Sequence, residues 1–342
     1  MAGERDVQRR VGIRDVAAAA GVSPATVSQA FNGSRPVHEE TRSRIVAAAT
    51  ALGYVPDPSA RGLRLRRTGL IGLLGDHVVT TPYAGRLVLG AADALEEQGL
   101  ALVAVDSLGD PDRELRLLAM LRQRNVEGVL YARMWHQFVT PPMLPGIPLA
   151  VVNAATESSD VPVVAPDEEA VGTVAAEYLL ARGHRRIAFA QTVDGVPAST
   201  GREHGFRRAL EAAGIAGEPL LARSASTAAG GRASGAVLLD RADRPTAVFC
   251  FNDQIAMGVY QAAAGLGLSV PEDVSVIGVD DLPLVADALL PGLTTIALPH
   301  EQMGRWAAGQ LLAQISDPDH PVERALVECR LVERDSVTPP AR

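Results

Sequence analysis

After residue 69 the chain alternates between short apolar runs and amphipathic stretches, and this rhythm constrains the fold more than any other feature. Alternation of this kind predicts parallel sheets wrapped in helices. One series runs through 70–74, 84–98, 100–105, 114–124, 126–131 and 149–152. A second series runs through 172–180, 186–190, 203–213, 247–251, 255–265 and 274–279, and a last helix is predicted at 299–315. Two series predict two lobes of α/β structure.

Length and composition agree with a foldable chain of more than one unit. The sequence has 342 residues, of which 47% are hydrophobic and 21% charged, values typical of globular domains. No apolar run approaches the roughly 18 residues that a membrane span requires. The first residues lack the apolar core of a secretory signal.

The region before residue 69 contains a tight turn followed by a helix with a polar outer face. Gly21 supplies backbone freedom for the turn. Ser23 is a good N-cap, and Pro24 fits the first helical position, where no N–H is needed. The apolar positions fall on one side, and the outward face carries Ala25, Thr26, Ser28 and Gln29.

Two further helices are predicted around this stretch. The first has the period of an amphipathic helix, with Ile13, Val16, Ala17 and Ala20 on one face. The third starts near His38, and its predicted buried side carries Ile45, Val46, Ala49 and Leu52. Three short helices with a tight first turn predict a helix-turn-helix unit, whose middle helix enters the major groove of DNA.

Charge is distributed unevenly along the chain. Residues 1–67 hold 11 Arg against 6 acidic residues, the remainder holds 21 Arg against 34, and the chain has no Lys. The basic amino-terminal region, residues 1–67, is called the head, and the acidic remainder is called the body. This distribution of charge indicates that the head binds a polyanion. The alternative is an exposed basic tail without a nucleic-acid partner.

The sequence motifs of both regions resemble those of the lac/galactose repressor family. In the head the match runs through Ile13-Arg14-Asp15-Val16-Ala17, Ala20-Gly21-Val22-Ser23, Thr26-Val27-Ser28, Asn32-Gly33 and Leu52-Gly53-Tyr54, and in the body through 183–188, 202–206, 251–258, 276–281 and 293–296. The resemblance implies an all-α helix-turn-helix domain and a two-lobed, parallel-sheet effector core like that of periplasmic sugar-binding proteins.

This resemblance also divides the chain. We expect a disordered extension at 1–10, the helix-turn-helix domain at 11–57, a hinge at 58–68, the core at 69–331 and a frayed tail at 332–342. The hinge is expected to fold as a helix only on DNA, where it pairs with its dimer mate. Leu63 matches the leucine that wedges into the minor groove.

The family's DNA-contacting positions are carried over residue by residue. Gln29 suits a bidentate contact with adenine, and the Ala25 methyl suits a thymine methyl. Many relatives carry Arg where Gln29 stands, which leaves the operator sequence open. Thr26 and Ser28 are interpreted as phosphate binders, and His38 replaces the usual Ser cap of the third helix. The predicted contacts are Ile13, Ser23, Pro24, Ala25, Thr26, Ser28, Gln29, Asn32 and Leu63.

The core's effector site is predicted in the same way. Arg202, Asn252 and Asp280 match polar positions that bind effectors across the family, and Arg with Asp can grip vicinal hydroxyls. Further predicted contacts, from the other lobe, are Asp76, Tyr83, Trp135 and Asn153. Tyr83 has a plain core position as its alternative. Trp135 is a candidate to replace the aromatic that relatives often carry at Ser226.

No catalytic or metal constellation is recognisable in the sequence. The histidines lack metal-ligand spacing, and neither a phosphate-binding loop nor a nucleophile elbow is present. Asp280 and Asp281 are neighbours on a strand and face opposite ways, so they do not act on one atom. His184 is interpreted as a structural turn residue. Cys250 and Cys329 are too few and too far apart for a disulfide framework, which favours a reducing cytoplasm.

The sequence therefore predicts a cytoplasmic, homodimeric transcriptional repressor that binds operator DNA and is controlled by a small-molecule effector, with no enzyme activity, cofactor or metal. A sugar is the expected effector, and a purine or nucleoside is the alternative. A solute-binding protein of a transport system is a further alternative, against which the missing signal peptide and the basic head both argue. No leucine heptad follows residue 330, so nothing favours a tetramer over a dimer.

Overall fold

The computed structural model describes residues 11–32, 35–54, 68–81, 84–215 and 217–341. The chain divides into two compact units, Met1–Gly69 and Leu70–Arg342. The first contains the described helices of the head, and the second contains the α/β core. The predicted extension at 1–10 and most of the predicted hinge, including Leu63, lie outside the described residues.

The head has the three predicted helices, α1 (Ile13–Ala20), α2 (Pro24–Asn32) and α3 (Glu39–Ala51). The turn between α1 and α2 depends on Gly21, which has a φ of 61°, a left-handed conformation that glycine adopts without steric cost. The Val22 amide donates to the Ala17 carbonyl at 3.0 Å and closes the end of α1. Arg44 from α3 donates through Nε to the Ala20 carbonyl at 3.0 Å and ties the third helix to the same turn.

A small apolar core joins the three helices, with Val16, Ala17, Ala20, Val27, Ala30, Ile45 and Ala49 buried. The predicted buried side of α3 is wrong at two positions. Val46 is 46% exposed and Leu52 is 37% exposed. Val46 follows Ile45 by about 100° around the helix, which takes it off the core face, and Leu52 lies beyond the last helical residue. Within the described part of the head, the His38 side chain makes no cap bond to α3.

In the core, the first sheet has the strand order β11-β5-β4-β3-β1-β2, and every neighbouring pair is parallel. Its strands are β1 (Leu70–Asp76), β2 (Ala101–Asp106), β3 (Gly128–Phe138), β4 (Leu149–Ala155), β5 (Val163–Pro166) and β11 (Arg324–Val327). Its helices are α4 (Gly85–Glu96), α5 (Pro111–Gln123) and α10 (His300–Ser316). Together they form the first lobe.

The second sheet has the order β12-β10-β9-β8-β6-β7, with β12 antiparallel to β10 and the other pairs parallel. Its strands are β6 (Ile187–Thr192), β7 (Leu220–Ser224), β8 (Ala247–Cys250), β9 (Ser275–Asp280), β10 (Thr294–Ala297) and β12 (Arg330–Val332). The helices of this second lobe are α6 (Glu168–Ala181), α7 (Pro197–Ala212), α8 (Ala228–Leu239) and α9 (Asp253–Gly265).

The chain passes between the lobes at the ends of strands. It leaves the first sheet after β5 and enters α6, it returns from β10 to α10, and it crosses again between β11 and β12. Both lobes are therefore built from separate parts of the sequence. The two-lobed α/β architecture is as predicted. The interior strands β5 and β10, the edge strands β7, β11 and β12, and helix α8 were not predicted.

The predicted frayed tail is wrong, because residues after β12 complete the second lobe. Ser336 is fully buried, donates to the Val276 carbonyl at 2.6 Å and accepts from the Thr294 amide at 2.8 Å. The Thr338 carbonyl lies 2.8 Å from Nε2 of His184. The tail thus satisfies backbone groups of β9 and β10 that would otherwise be buried without partners. His184, buried by this contact, has the predicted structural role.

Candidate DNA-reading helix and effector cleft

Helix α2 presents the predicted outward face. Ser23 caps the helix, because its Oγ accepts from the Thr26 amide at 3.1 Å. Ala25 is exposed, whereas Gln29 is partly exposed and Val27 is buried. Ser23 and Pro24 are also exposed, and Thr26 and Ser28 are partly exposed. The fold of the head therefore leaves these side chains at the surface while Val27 and Ala30 hold the helix to the core.

Three predicted DNA contacts have a different status. Ile13 is partly buried and packs against the core of the head. Asn32 ends α2, but its side chain lies outside the described residues. Leu63 also lies outside them.

The core contains a cavity of about 730 Å³ at the carboxyl ends of its strands, the usual ligand site of open α/β sheets. We call this cavity the effector cleft. Side chains from both lobes line it: His77, Thr81, Met134, Trp135, His136, Asn153, Glu168, Asp194, Val196, Ala198, Arg202, Ser226, Phe251, Asn252, Gln254, Asp280 and Leu298.

Five of the seven predicted effector contacts meet there, namely Trp135, Asn153, Arg202, Asn252 and Asp280. Asp76 ends β1 and is not among the lining residues, and its Oδ1 lies 3.9 Å from Nε2 of His77. His77, the residue that follows it, lines the cleft instead. Tyr83 lies outside the described residues.

Arg202 is held by the protein itself. Its Nε lies 2.7 Å from Oε2 of Glu168, and its Nη1 donates to the carbonyl of Phe251. The guanidinium also lies over the Phe251 ring, at 4.5 Å from the centroid. Arg202 is 3% exposed and Glu168 is 5% exposed, so the pair is almost wholly removed from water.

Asp280 is the partly exposed carboxylic acid at the end of β9. Desolvation raises its pKa to about 7, although Arg202 acts in the opposite direction, and the Glu168 carboxylate raises it further. Asp281 turns away from the cleft and lies 2.7 Å from Nη2 of Arg334. The two neighbouring acids therefore face different partners, as predicted.

Asn153, at 2% exposure, has its orientation fixed by backbone. Its Nδ2 donates to the carbonyls of Arg133 at 3.0 Å and Met134 at 2.9 Å. The amide oxygen Oδ1 is buried and has no hydrogen-bond partner among the described residues. This geometry leaves an acceptor in the wall of the cleft, and buried acceptors of this kind are costly unless something donates to them.

Asn252 has a different arrangement, because it caps α9. Its Oδ1 accepts from the Ile255 amide at 2.8 Å, and its Nδ2 lies 3.5 Å from the Ser226 carbonyl. The amide therefore has donor capacity to offer a ligand. Ser226 itself donates to Thr192 Oγ1 at 2.8 Å.

Trp135 is 37% exposed and stacks on His77, with the ring centroids 6.4 Å apart and the planes at 19°. It lies on the extension of β3 beyond the predicted strand end at residue 131. This aromatic pair forms an apolar surface of the cleft in the first lobe.

Several lining residues were not predicted from the sequence, of which Glu168 and His136 matter most. Glu168 begins α6, where an acidic residue is already explained by the helix dipole, so the sequence carried no further signal. His136 lies on the part of β3 that was not predicted as strand. Among the described residues, no group of three or more His, Cys, Asp or Glu could hold a metal ion. No helix among them is long and apolar enough to cross a membrane.

Comparison with known proteins identifies the family. A model of the lacI family of bacterial regulatory proteins matches residues 12–57, and a periplasmic binding protein-like domain matches residues 176–337. The HTH-type transcriptional repressor PurR of Photorhabdus laumondii is 35% identical over 334 residues, which cover 95% of this chain and 96% of that protein. This chain belongs to the lacI family. The predicted family is thus confirmed.

Other relatives support the same assignment over nearly the whole chain. The ribose operon repressor of Escherichia coli K12 is 35% identical over 329 residues, covering 95% of this chain and 99% of that protein. A solved complex of the transcriptional regulator CelR with cellobiose is 32% identical, covers 96% of this chain and 100% of that chain, and has a TM-score of 0.68. The lacI-family chain described here is an effector-controlled, DNA-binding transcriptional regulator.

Proposed function

We propose that this regulator is a cytoplasmic, homodimeric repressor without enzyme activity, that α2 reads its operator, and that a sugar in the effector cleft controls it. The observation that carries the proposal is the cleft itself, where Asn153 from the first lobe meets Arg202, Asn252 and Asp280 from the second. A ligand bound between lobes favours one lobe arrangement over another, which is the requirement for control of a distant DNA site.

The choice of a sugar rests on chemistry and on relatives. Hydroxyl groups both donate and accept hydrogen bonds, which suits a cleft that offers the Asn153 and Asp280 oxygens and the Asn252 amide. Trp135 supplies an apolar face for the ring of a sugar. Two relatives point the same way, since one is named a ribose operon repressor and another was solved with cellobiose.

For DNA, we propose that Gln29 supplies base recognition, that Thr26 and Ser28 contact phosphates, and that Ser23 lies at the same interface. Pro24 and Ala25 have no side-chain donor, so they can contribute only apolar contacts. Two heads of a dimer would read two half-sites related by two-fold symmetry. In this proposal Leu63 wedges into the minor groove between the half-sites.

The test combines operator selection with a ligand screen. Selection from random DNA is expected to enrich a two-fold symmetric site, and gel shifts on that site are then repeated with D-ribose, cellobiose, adenine and adenosine. A change in operator affinity with a sugar, absent in Asp280→Ala, supports the proposal. A response to adenine or adenosine alone would replace the sugar by a purine effector. Failure to enrich any DNA sequence would contradict the repressor function.

A further inference from the structure

Building on this proposed function, we infer that Glu168 makes the effector cleft selective against anions, and that the effector is a neutral or cationic donor of hydrogen bonds. The inference rests on Arg202, the only guanidinium among the described lining residues, whose charge is already paired with the buried Glu168 carboxylate. Phosphorylated sugars and carboxylates are therefore excluded as effectors, although an arginine in a ligand cleft ordinarily suggests them.

Two of the three guanidinium nitrogens of Arg202 have partners within the protein. Its Nε is taken by Glu168 at 2.7 Å, and its Nη1 by the Phe251 carbonyl. Because the Glu168–Arg202 pair is buried, a phosphate that bound the guanidinium would compete with a carboxylate whose Oε2 already lies 2.7 Å from Nε. Leaving a buried charge without its partner is strongly unfavourable.

Glu168 is also held from the opposite lobe. Its Oε1 lies 3.6 Å from Nδ1 of His136 on β3, while its Oε2 faces Arg202 on α7. One carboxylate thus contacts residues of both lobes at the base of the cleft. Its pKa is lowered by Arg202 and His136 against the effect of burial, so the group stays ionised and keeps Arg202 neutralised.

The remaining charge in the cleft is acidic. Asp194 and Asp280 line it together with Glu168, and Arg202 is the only arginine among the described lining residues. A bound phosphate would lie beside the Glu168 and Asp194 carboxylates, and like charges in one partly desolvated site repel each other.

The cleft favours ligand atoms that donate hydrogen bonds. Within the described part of the chain, Asn153 Oδ1 is an unpartnered acceptor, and its orientation is set because Nδ2 donates to two carbonyls. Asp280 and Asp194 add carboxylate oxygens. A hydroxyl or ammonium group satisfies such acceptors, whereas a phosphate dianion adds only further acceptors.

The test compares phosphate binding in wild type and in Glu168→Gln, which removes the carboxylate charge but keeps the side-chain shape. Thermal shift and calorimetry use inorganic phosphate and the matched pairs ribose with ribose 5-phosphate and glucose with glucose 6-phosphate, at constant ionic strength set with chloride. In wild type any phosphorylated sugar is expected to bind roughly a hundredfold or more weakly than its neutral partner. Glu168→Gln is expected to gain binding of inorganic phosphate.

Glu169→Gln is the matched control. Glu169 occupies the next position of α6, but its carboxylate pairs at the surface with His204 and Arg208, so its variant should gain no phosphate binding. A wild-type protein that binds inorganic phosphate or ribose 5-phosphate, with the binding lost in Arg202→Met, would overturn the inference. So would a folded Glu168→Gln variant that remains unresponsive to phosphate. If Glu168→Gln does not fold, the comparison of each neutral sugar with its phosphate in wild type still decides, because equal affinities would overturn the inference.

These experiments distinguish a failure of the proposed role of Glu168 from a failure of the proposed sugar effector. If neutral sugars neither bind nor change operator affinity while Glu168→Gln alone gains phosphate binding, the sugar proposal fails and the role of Glu168 stands. If a sugar acts as effector but wild type binds the phosphorylated sugar equally well, the reverse holds.

Discussion

Gly172 on α6 lies directly against the backbone carbonyl of Arg202 on α7, so that a Cβ at residue 172 would overlap that oxygen. The reciprocal contact is made by Gly205 against the carbonyl of Glu169. These glycines allow the two helices to approach closely, near the start of α6 and the middle of α7. Close approach is what brings Glu168 and Arg202 within 2.7 Å of each other.

We therefore expect Gly172→Ala to destabilise the core, because the added methyl forces α6 and α7 apart. Overpacking of this kind costs about 1–3 kcal/mol, and occasionally more. The measurement is the free energy of unfolding by urea. Gly309→Ala is the control, since Gly309 is an exposed position within α10 and an added methyl there would meet open space, and it should gain about 0.5–1 kcal/mol from helix propensity. Equal effects of the two substitutions would contradict the close-contact explanation.

Asp280 predicts a specific pH dependence of stability. Its pKa is about 7 in the folded chain and about 3.9 when unfolded. Between these values the folded state binds more protons than the unfolded state, so the free energy of unfolding falls as pH rises. The stabilising contribution is complete below about pH 4 and is lost as pH passes about 7.

Asp280→Asn removes this titration. Burial also raises the pKa of the neighbouring Asp253 and the Asp280 charge raises it further, so the substitution removes that second contribution as well. Between about pH 5 and about pH 8 the stability of wild type relative to the variant should fall by on the order of 2 kcal/mol, measured by urea unfolding at both pH values. Taking the difference matters because burial lowers the pKa of His300 to about 4 and also lowers that of His184, and both histidines oppose the trend. Parallel pH profiles for the two proteins would contradict the assignment.

Asn153 should stabilise the first lobe as well as contact the effector. Asn153→Ala leaves the carbonyls of Arg133 and Met134 without their donor, at a cost of about 1–3 kcal/mol in urea unfolding. Because Asn153 has a φ of 55°, the alanine variant also carries backbone strain. Asn153→Gly removes the same hydrogen bonds and tolerates this φ. If only the alanine variant loses unfolding free energy, the loss is due to backbone strain and not to the missing hydrogen bonds.

Periodicity sufficed for the long and buried elements of this fold. Continuous apolar runs such as 70–74 and 274–279 predicted buried parallel strands, and the turn at Gly21 predicted the head. Short edge strands such as β11 and β12 were not predicted, because three or four residues are too few to show a clear alternation of apolar and polar side chains. Packing of the tail against β9 is likewise a long-range contact that local sequence does not encode.

In the cleft, too, some features were predictable from the sequence and others depend on long-range contacts. Asn153, Arg202, Asn252 and Asp280 were predicted because they match family positions, and the structure brings them together. Nothing in the sequence indicates that Arg202 is already paired, since its partner Glu168 belongs to another helix and has an ordinary explanation at a helix start. What the effector encounters thus depends on tertiary contacts rather than on the residue types alone.

The head offers a prediction that separates folding from recognition on one helix. Ser23→Ala removes the bond from the Thr26 amide and should destabilise α2 by about 0.5–2 kcal/mol, measured by hydrogen exchange of its amides. Gln29→Ala, on the partly exposed face, should leave that exchange unchanged and relax preference at one operator position by about 1–3 kcal/mol per half-site, measured by gel shifts on base-substituted sites. Unaltered base preference in Gln29→Ala would remove Gln29 from the recognition surface, whereas faster exchange there would give it a structural role instead.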